Sequence, residues 1–224
     1  MFKSECDRFT RIAKTYFPEF HSLHESIKNK VMKKEYAKGG ELLSRGYYCP
    51  SPIDDIVIGN CKRGRRLKKY PNVGKASYEF CYDAEDKLII INSLFSNSTE
   101  IILYKAKSVL GINVSRDIVL DIDEIVSIIE CKYDDDNRIT SYINAFSCYG
   151  NCNIDELSVE LYQYNESGLR VADTFNYLDR KRGGTLNHYQ YYFEHDSEGF
   201  LKNYRDLASN YPDEIYKVYI KRKI

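Results

Sequence analysis

The sequence predicts an α+β protein, with an N-terminal helical pair followed by a long antiparallel β-meander of repeated hairpins. Three observations predict it. Apolar residues recur every three to four positions at the start of the chain, which is the period of one helix face. From about residue 75 the period becomes two, so that alternate side chains fall on one face of a sheet. The short polar segments between the alternating runs resemble one another, as successive hairpin turns do.

Phe2, Cys6, Phe9, Ala13 and Tyr16 define the first helix, at about 2–16. After Pro18, the residues Phe20, Leu23, Ile27 and Val31 continue the pattern and predict a second helix at about 18–36. Lys38-Gly39-Gly40 ends it, and a turn-rich stretch with Pro50 and Pro52 follows. Within that stretch Ile53 to Ile58 reads as a short strand. Two segments result: a helical one over 1–50, packed on the sheet rather than independent, and an antiparallel β-hairpin repeat domain over 51–224.

In the β region, Tyr78, Phe80 and Tyr82 alternate with Glu79 and Cys81. Leu157, Val159 and Leu161 alternate with Ser158 and Glu160, and Tyr189, Tyr191 and Phe193 with Gln190, Tyr192 and Glu194. About ten strands are expected, the last at about Ile215 to Ile220 before the basic tail Lys221-Arg222-Lys223. The turns follow one layout. Tyr82-Asp83-Ala84-Glu85-Asp86, Tyr133-Asp134-Asp135-Asp136-Asn137, Tyr164-Asn165-Glu166-Ser167-Gly168 and His195-Asp196-Ser197-Glu198-Gly199 each have an aromatic, then Asp or Asn, then Asp, Asn or Gly four after the aromatic. The first Asp or Asn bonds the backbone two residues on, and the last tolerates the left-handed conformation that closes the loop. Tyr104-Lys105-Ala106-Lys107-Ser108 keeps the aromatic but loses the turn residues.

These segments resemble the YD repeats of RHS-type proteins, whose signature runs Tyr-Asp, two free positions, Gly, Arg, Leu. Tyr133-Asp134-Asp135-Asp136-Asn137-Arg138-Ile139 is the nearest copy, with Asn137 in place of Gly and Ile139 in place of Leu. The resemblance runs from about residue 78 to 207. RHS proteins wind dozens of such repeats into a shell around a toxin, and four or five copies cannot close a shell. A short hairpin protein of this composition looks more like the small cytoplasmic immunity proteins that accompany bacterial polymorphic toxins. That resemblance implies a binder which blocks a cognate toxin domain by occupying its active surface.

Composition sets the other bounds. With 33 Lys plus Arg against 33 Asp plus Glu the net charge is zero, so no long-range field favours nucleic acid or an anionic membrane. The opening Met1 to Arg8 has no apolar signal core, and no apolar run is long enough to span a bilayer. A cytoplasmic chain is expected, unless a leader was trimmed from it. Seven cysteines at irregular spacings (Cys6, Cys49, Cys61, Cys81, Cys131, Cys148, Cys152) read as reduced thiols.

Several residue groups could carry chemistry. Lys62, Arg63, Arg65, Arg66, Lys68 and Lys69 form the one dense cationic run, a phosphate-binding candidate that otherwise reads as a solvated loop. Asp134, Asp135 and Asp136, and Asp121, Asp123 and Glu124, are acidic clusters suited to steering a basic partner. Tyr189, Tyr191 and Tyr192 are candidate partner contacts, because Tyr concentrates binding energy at interfaces. His21 and His24 lack a third metal ligand of matching spacing, and Cys148 to Cys152 is not a CxxC motif. No metal or other cofactor is therefore expected. With no GxSxG, P-loop or GxGxxG, the reading is a non-enzyme. Three other classes stay open: a fragment of a larger YD-repeat cell-surface protein, a nucleic-acid binder using residues 62–69, and a hydrolase built around His188 or His195.

Overall fold

The computed structural model describes residues 1–57, 62–68, 76–117, 122–147, 151–179, 184–207 and 214–218. Helix α1 spans Phe2–Tyr16 and buries Cys6, Phe9 and Ala13, the stripe read from the sequence. Helix α2 runs from Phe20 to Lys28 and buries Phe20 and Ile27.

The second helix is shorter than its apolar spacing predicts. Residues Lys33–Lys38, of which 33–36 are expected inside it, form strand β1 and pair antiparallel with Tyr78–Tyr82, in the register Tyr36↔Glu79 and Ala37↔Tyr78. A row of unpaired backbone groups on the neighbouring strand outweighs a modest helix propensity, and Ala37 is fully buried there. Of the short strand expected over Ile53 to Ile58, Asp54–Val57 is instead helix α3, and Ile58 lies outside the described residues. Ser51 explains the change: its Oγ accepts from the amides of Ile53 and Asp54 at 3.3 and 3.1 Å, satisfying donors at a helix start. Ile53 and Ile56 then fall on one face and plug into the sheet.

Strand β2 is Arg65–Arg66, β3 Tyr78–Tyr82, β4 Leu88–Ser93, β5 Ser98–Lys105 and β6 Ser108–Asp117. They are followed by β7 Ile122–Tyr133, β8 Ile139–Phe146, β9 Glu156–Asn165 and β10 Gly168–Leu178. The last are β11 Thr185–His195, β12 Leu201–Asp206 and β13 Tyr216–Lys217. Among the described residues these make one 13-stranded sheet in which β3 to β13 lie in chain order and β1 and β2 extend the β3 side. The fold is thus α+β, two N-terminal helices on a long antiparallel meander. β1, from the first segment, shares that sheet. Of the expected final strand, residues 219–220 lie outside the described residues. Both outermost strands are two residues long, which limits edge-to-edge pairing.

The sheet is covered on both faces. On one, α1 and α2 bury Ile90, Ile101, Ile112, Ile128 and Leu157. On the other, the chain from Gly39 to Val57 crosses strands whose buried residues include Tyr78, Phe80, Cys131, Tyr142 and Tyr162. Cys6, Cys49, Cys81, Cys131 and Cys152 are free thiols; Cys61 and Cys148 lie outside the described residues. Burial pushes Cys6 and Cys81 up to about 12 and Cys131 to about 11. No helix of the described residues is long and apolar enough to cross a membrane.

All four matching turns are hairpin tips, and three share one turn geometry, whereas the loop after Tyr164 is one residue shorter, with Gly168 at φ 127°. Asp83, Asp134 and Asp196 each accept, through Oδ1, from the amides two and four residues on, at 2.8 to 3.0 Å. Asp86, Asn137 and Gly199 close these loops at φ 57, 59 and 79°. In all four hairpins the aromatic faces an apolar residue, Tyr82↔Leu88, Tyr133↔Ile139, Tyr164↔Leu169 and His195↔Leu201. The residue after that apolar one is skipped in the register as a β-bulge. The turn after Tyr104 pairs in register, Leu103↔Leu110 and Tyr104↔Val109, without the bulge.

Candidate functional site

The loop face of the sheet is not uniformly apolar. Glu100 on β5 stands opposite Asn113 on β6, which stands opposite Ser127 on β7. One step along, Asn144 on β8 faces Ser158 on β9, and Tyr142 faces Glu160. These inward polar positions floor a cleft of about 510 Å³ walled by the segment Glu41 to Arg45, Tyr78, Phe95 and Phe146. That size falls within the usual range for small-ligand sites.

Arg45 organises the cleft. Its backbone is left-handed, φ 60°, a conformation that is strained for a residue other than glycine, and it turns the guanidinium down onto the sheet. There Nε and Nη2 donate to Glu100 Oε1 at 2.9 and 2.6 Å. Both side chains are buried. The carboxylate and the guanidinium occupy the space above Gly111 that a Cβ would fill, the use expected of a mid-strand glycine where another group approaches closely.

A second buried acid sits at the inner end. Glu160 Oε2 accepts from Ser51 Oγ at 2.7 Å and from the Tyr162 hydroxyl. Burial, with the charge of Asp54 second, pushes Glu160 up to about 8, so at neutral pH it is largely protonated. Burial also drives the Tyr142 and Tyr162 phenols upward. The cleft also holds unsatisfied acceptors. Asn113 Oδ1 and Asn144 Oδ1 are buried without a hydrogen-bond partner, although Asn144 is only 8% exposed. Native interiors rarely leave such groups orphaned.

The sequence candidates fall elsewhere. Asp134, Asp135 and Asp136 form the β7–β8 tip, where Asp134 pairs with Arg138 at 2.8 Å and Asp135 with Lys107 at 2.5 Å. Asp123 and Glu124 lie at the opposite end of β7, roughly 36 Å away at about 3.3 Å per residue, so the two acidic groups do not form one surface. Asp123 Oδ2 sits 2.5 Å from His21 Nε2, and Asp121 lies outside the described residues. His24 stacks on Phe20, and no group of three metal-binding side chains is found among the described residues.

Tyr191 is buried in the loop-face core, while Tyr189 is exposed and Tyr192 half-buried. In the basic run, Arg63 donates to the carbonyls of Cys49 and Ser51 and ties down the loop over the cleft. Arg66 pairs with Glu35 at 3.4 Å. Lys62, Arg65 and Lys68 are exposed, and Lys69 lies outside the described residues. Two of the run's three arginines thus hold the fold together. His188 pairs with Asp173 at 2.9 Å and stacks on Phe175; burial lowers the His195 imidazole. Neither histidine lines the cleft.

Apolar periodicity alone does not mark the cleft residues, but the sequence holds a partial signal for them. Glu100 adjoins the apolar run Ile101 to Leu103, and Gly111 interrupts Leu110 and Ile112, whereas Glu160 takes a polar place in the regular alternation of Leu157, Val159 and Leu161 and gives no such signal. No family model and no curated protein matches the chain.

Proposed function

We propose that this protein is a non-catalytic binding module, most concretely an immunity protein that neutralises a cognate toxin domain by direct binding. The observation that supports it is the part of the helix face beyond α1. Leu161, Leu186 and Leu207 on or beside β9, β11 and β12 are 39, 50 and 39% exposed. They lie around Asp173, which accepts from Gln190 Nε2 at 2.8 Å, and around the stacked Phe175 and His188, whose ring centroids are 4.3 Å apart. An apolar patch whose polar members already bond one another on a rigid sheet suits capture of a folded partner.

The toxin-neutralising form of the reading draws on the YD-like tips, whose shared bulge and turn geometry fits a reused hairpin unit. Fold does not fix function, so the test is direct. The protein should copurify with the product of a neighbouring toxin reading frame and restore growth of cells expressing it. Leu186→Glu combined with Leu207→Glu should abolish both while leaving the melting temperature within a few degrees. Growth rescue absent for every adjacent candidate would overturn the reading.

A further inference from the structure

We infer that the cleft between Arg45, Asn113, Asn144 and Phe95 is a binding site for a cationic, donor-rich group, a guanidinium or alkylammonium. The inference deepens the binding-module reading and rests on it only for the source of that group.

The argument is one of complementarity. The lining carries four carboxyl groups, Glu41, Asp54, Glu100 and Glu160, and one cation, Arg45. Arg45 is consumed by Glu100, so the one cation of the lining is already paired, while the Glu41 carboxylate stands at the exposed rim. Among the described residues, the unpartnered buried atoms of the lining are both acceptors, Asn113 Oδ1 and Asn144 Oδ1. Serine hydroxyls at Ser98, Ser115, Ser127 and Ser158 line the same space, and a hydroxyl can turn to accept as readily as to donate. An anion would meet carboxylates and amide oxygens, whereas a guanidinium brings five N–H donors in a planar fork.

The rim supplies the remaining feature. Phe95 is 52% exposed and stands edge-on to Tyr78 at 5.4 Å, with Phe146 also in the lining. A cation over such aromatic faces is held by the ring quadrupole. Arg45 cannot fill this role itself, because its guanidinium is held over Gly111 by the Glu100 carboxylate. Free small amines and an Arg or Lys side chain of a partner protein share this chemistry.

Titration calorimetry with three probes, N-acetyl-arginine amide, its neutral isostere N-acetyl-citrulline amide, and agmatine, tests the site. The arginine amide or agmatine should bind saturably at one site, and the citrulline amide at least tenfold more weakly. Phe95→Ala, an exposed position that leaves folding intact, and Asn144→Ala, checked by thermal melting, should each weaken binding severalfold. Tighter binding of agmatine assigns the site to a small amine; tighter binding of the amide assigns it to a protein side chain. Equal affinity for citrulline, no saturable binding by either cation, or indifference to both variants overturns the inference. A toxin complex that forms normally with Asn144→Ala and Phe95→Ala, while the cations fail to bind, removes the cleft and leaves the binding-module reading standing. Cation binding without any protein partner does the reverse.

Discussion

Arg45 and Glu100, 55 positions apart in sequence, meet as a buried ion pair, Nη2 to Oε1 at 2.6 Å, in the room left by Gly111. The pair pins the loop that precedes α3 to the middle of the sheet. Removing one partner strands a charge away from water, so Arg45→Met alone and Glu100→Leu alone should each lower stability by about 3–5 kcal/mol, whereas the double variant should recover most of the loss. Denaturant unfolding of the four proteins measures this as a double-mutant cycle. Additive losses would show that the two groups are not coupled.

Gly111→Ala attacks the same pair from below. The added methyl would overlap the Glu100 carboxylate and the Arg45 guanidinium, and neither has a free direction to retreat, since both are buried. Overpacking of this kind typically lowers stability by about 1–3 kcal/mol. An alanine variant as stable as the parent would show that the pair shifts without loss.

Glu160 gives the fold a distinctive pH response. Its carboxyl is raised from 4.5 to about 8, so in the window between those values the folded chain binds a proton that the unfolded chain has lost. The stability linked to this group is fully present below the unfolded value and is lost as pH rises through the folded one, at up to about 1.4 kcal/mol per unit. Glu160→Gln keeps acceptors for Ser51 and Tyr162 and removes the ionisation. Relative to the parent, the glutamine variant should therefore gain stability steadily from pH 5 to pH 8.5 in thermal melts. A difference independent of pH would place the Glu160 carboxyl outside that window.

The sequence was most readable where local chemistry and tertiary structure agree. The stripe from Phe2 to Tyr16 is a helix because nothing competes for its backbone, and Asp134 to Asn137 is a tip because Asp134 satisfies two turn amides itself. Where they disagree, the available hydrogen-bond partners decide. Lys33 to Tyr36 fall in the span that reads as helix, but the unpaired edge of β3 offered the backbone hydrogen bonds of a ladder. Ile53 to Ile58 reads as a strand, but Ser51 supplies the acceptor for a helix start over Asp54–Val57. The cleft was hidden for another reason. Its residues come from the first loop and from β5, β6, β8 and β9, and only pairing register brings Glu100, Asn113, Asn144 and Glu160 onto one face.

Asn137 separates the backbone requirement of the tips from their side-chain chemistry. It sits at φ 59°, and Gly occupies the equivalent place at Gly199 with φ 79°. Asn137→Gly should be tolerated within about 0.5 kcal/mol, and Asn137→Val, with a β-branched side chain in the left-handed region, should destabilise by about 1–2 kcal/mol. Chemical unfolding distinguishes the two. Equal effects would mean that the tip does not depend on the left-handed residue.

Phe2 tests how the first helix holds the far strands. Its ring lies 5.4 Å from that of Phe175 and 5.6 Å from that of Tyr177, so the first turn of α1 reaches over β10, where few other side chains of the described helices cover the sheet. Phe2→Ala removes both contacts from a half-buried position, and should lower stability by about 1–2 kcal/mol, less than a fully buried Phe would. Because the loss is local, amide exchange should quicken in β10 and β11 while β7, against which α1 packs, keeps its protection. Uniform acceleration across all strands would show instead that the sheet opens as one unit and that Phe2 contributes only to its global stability.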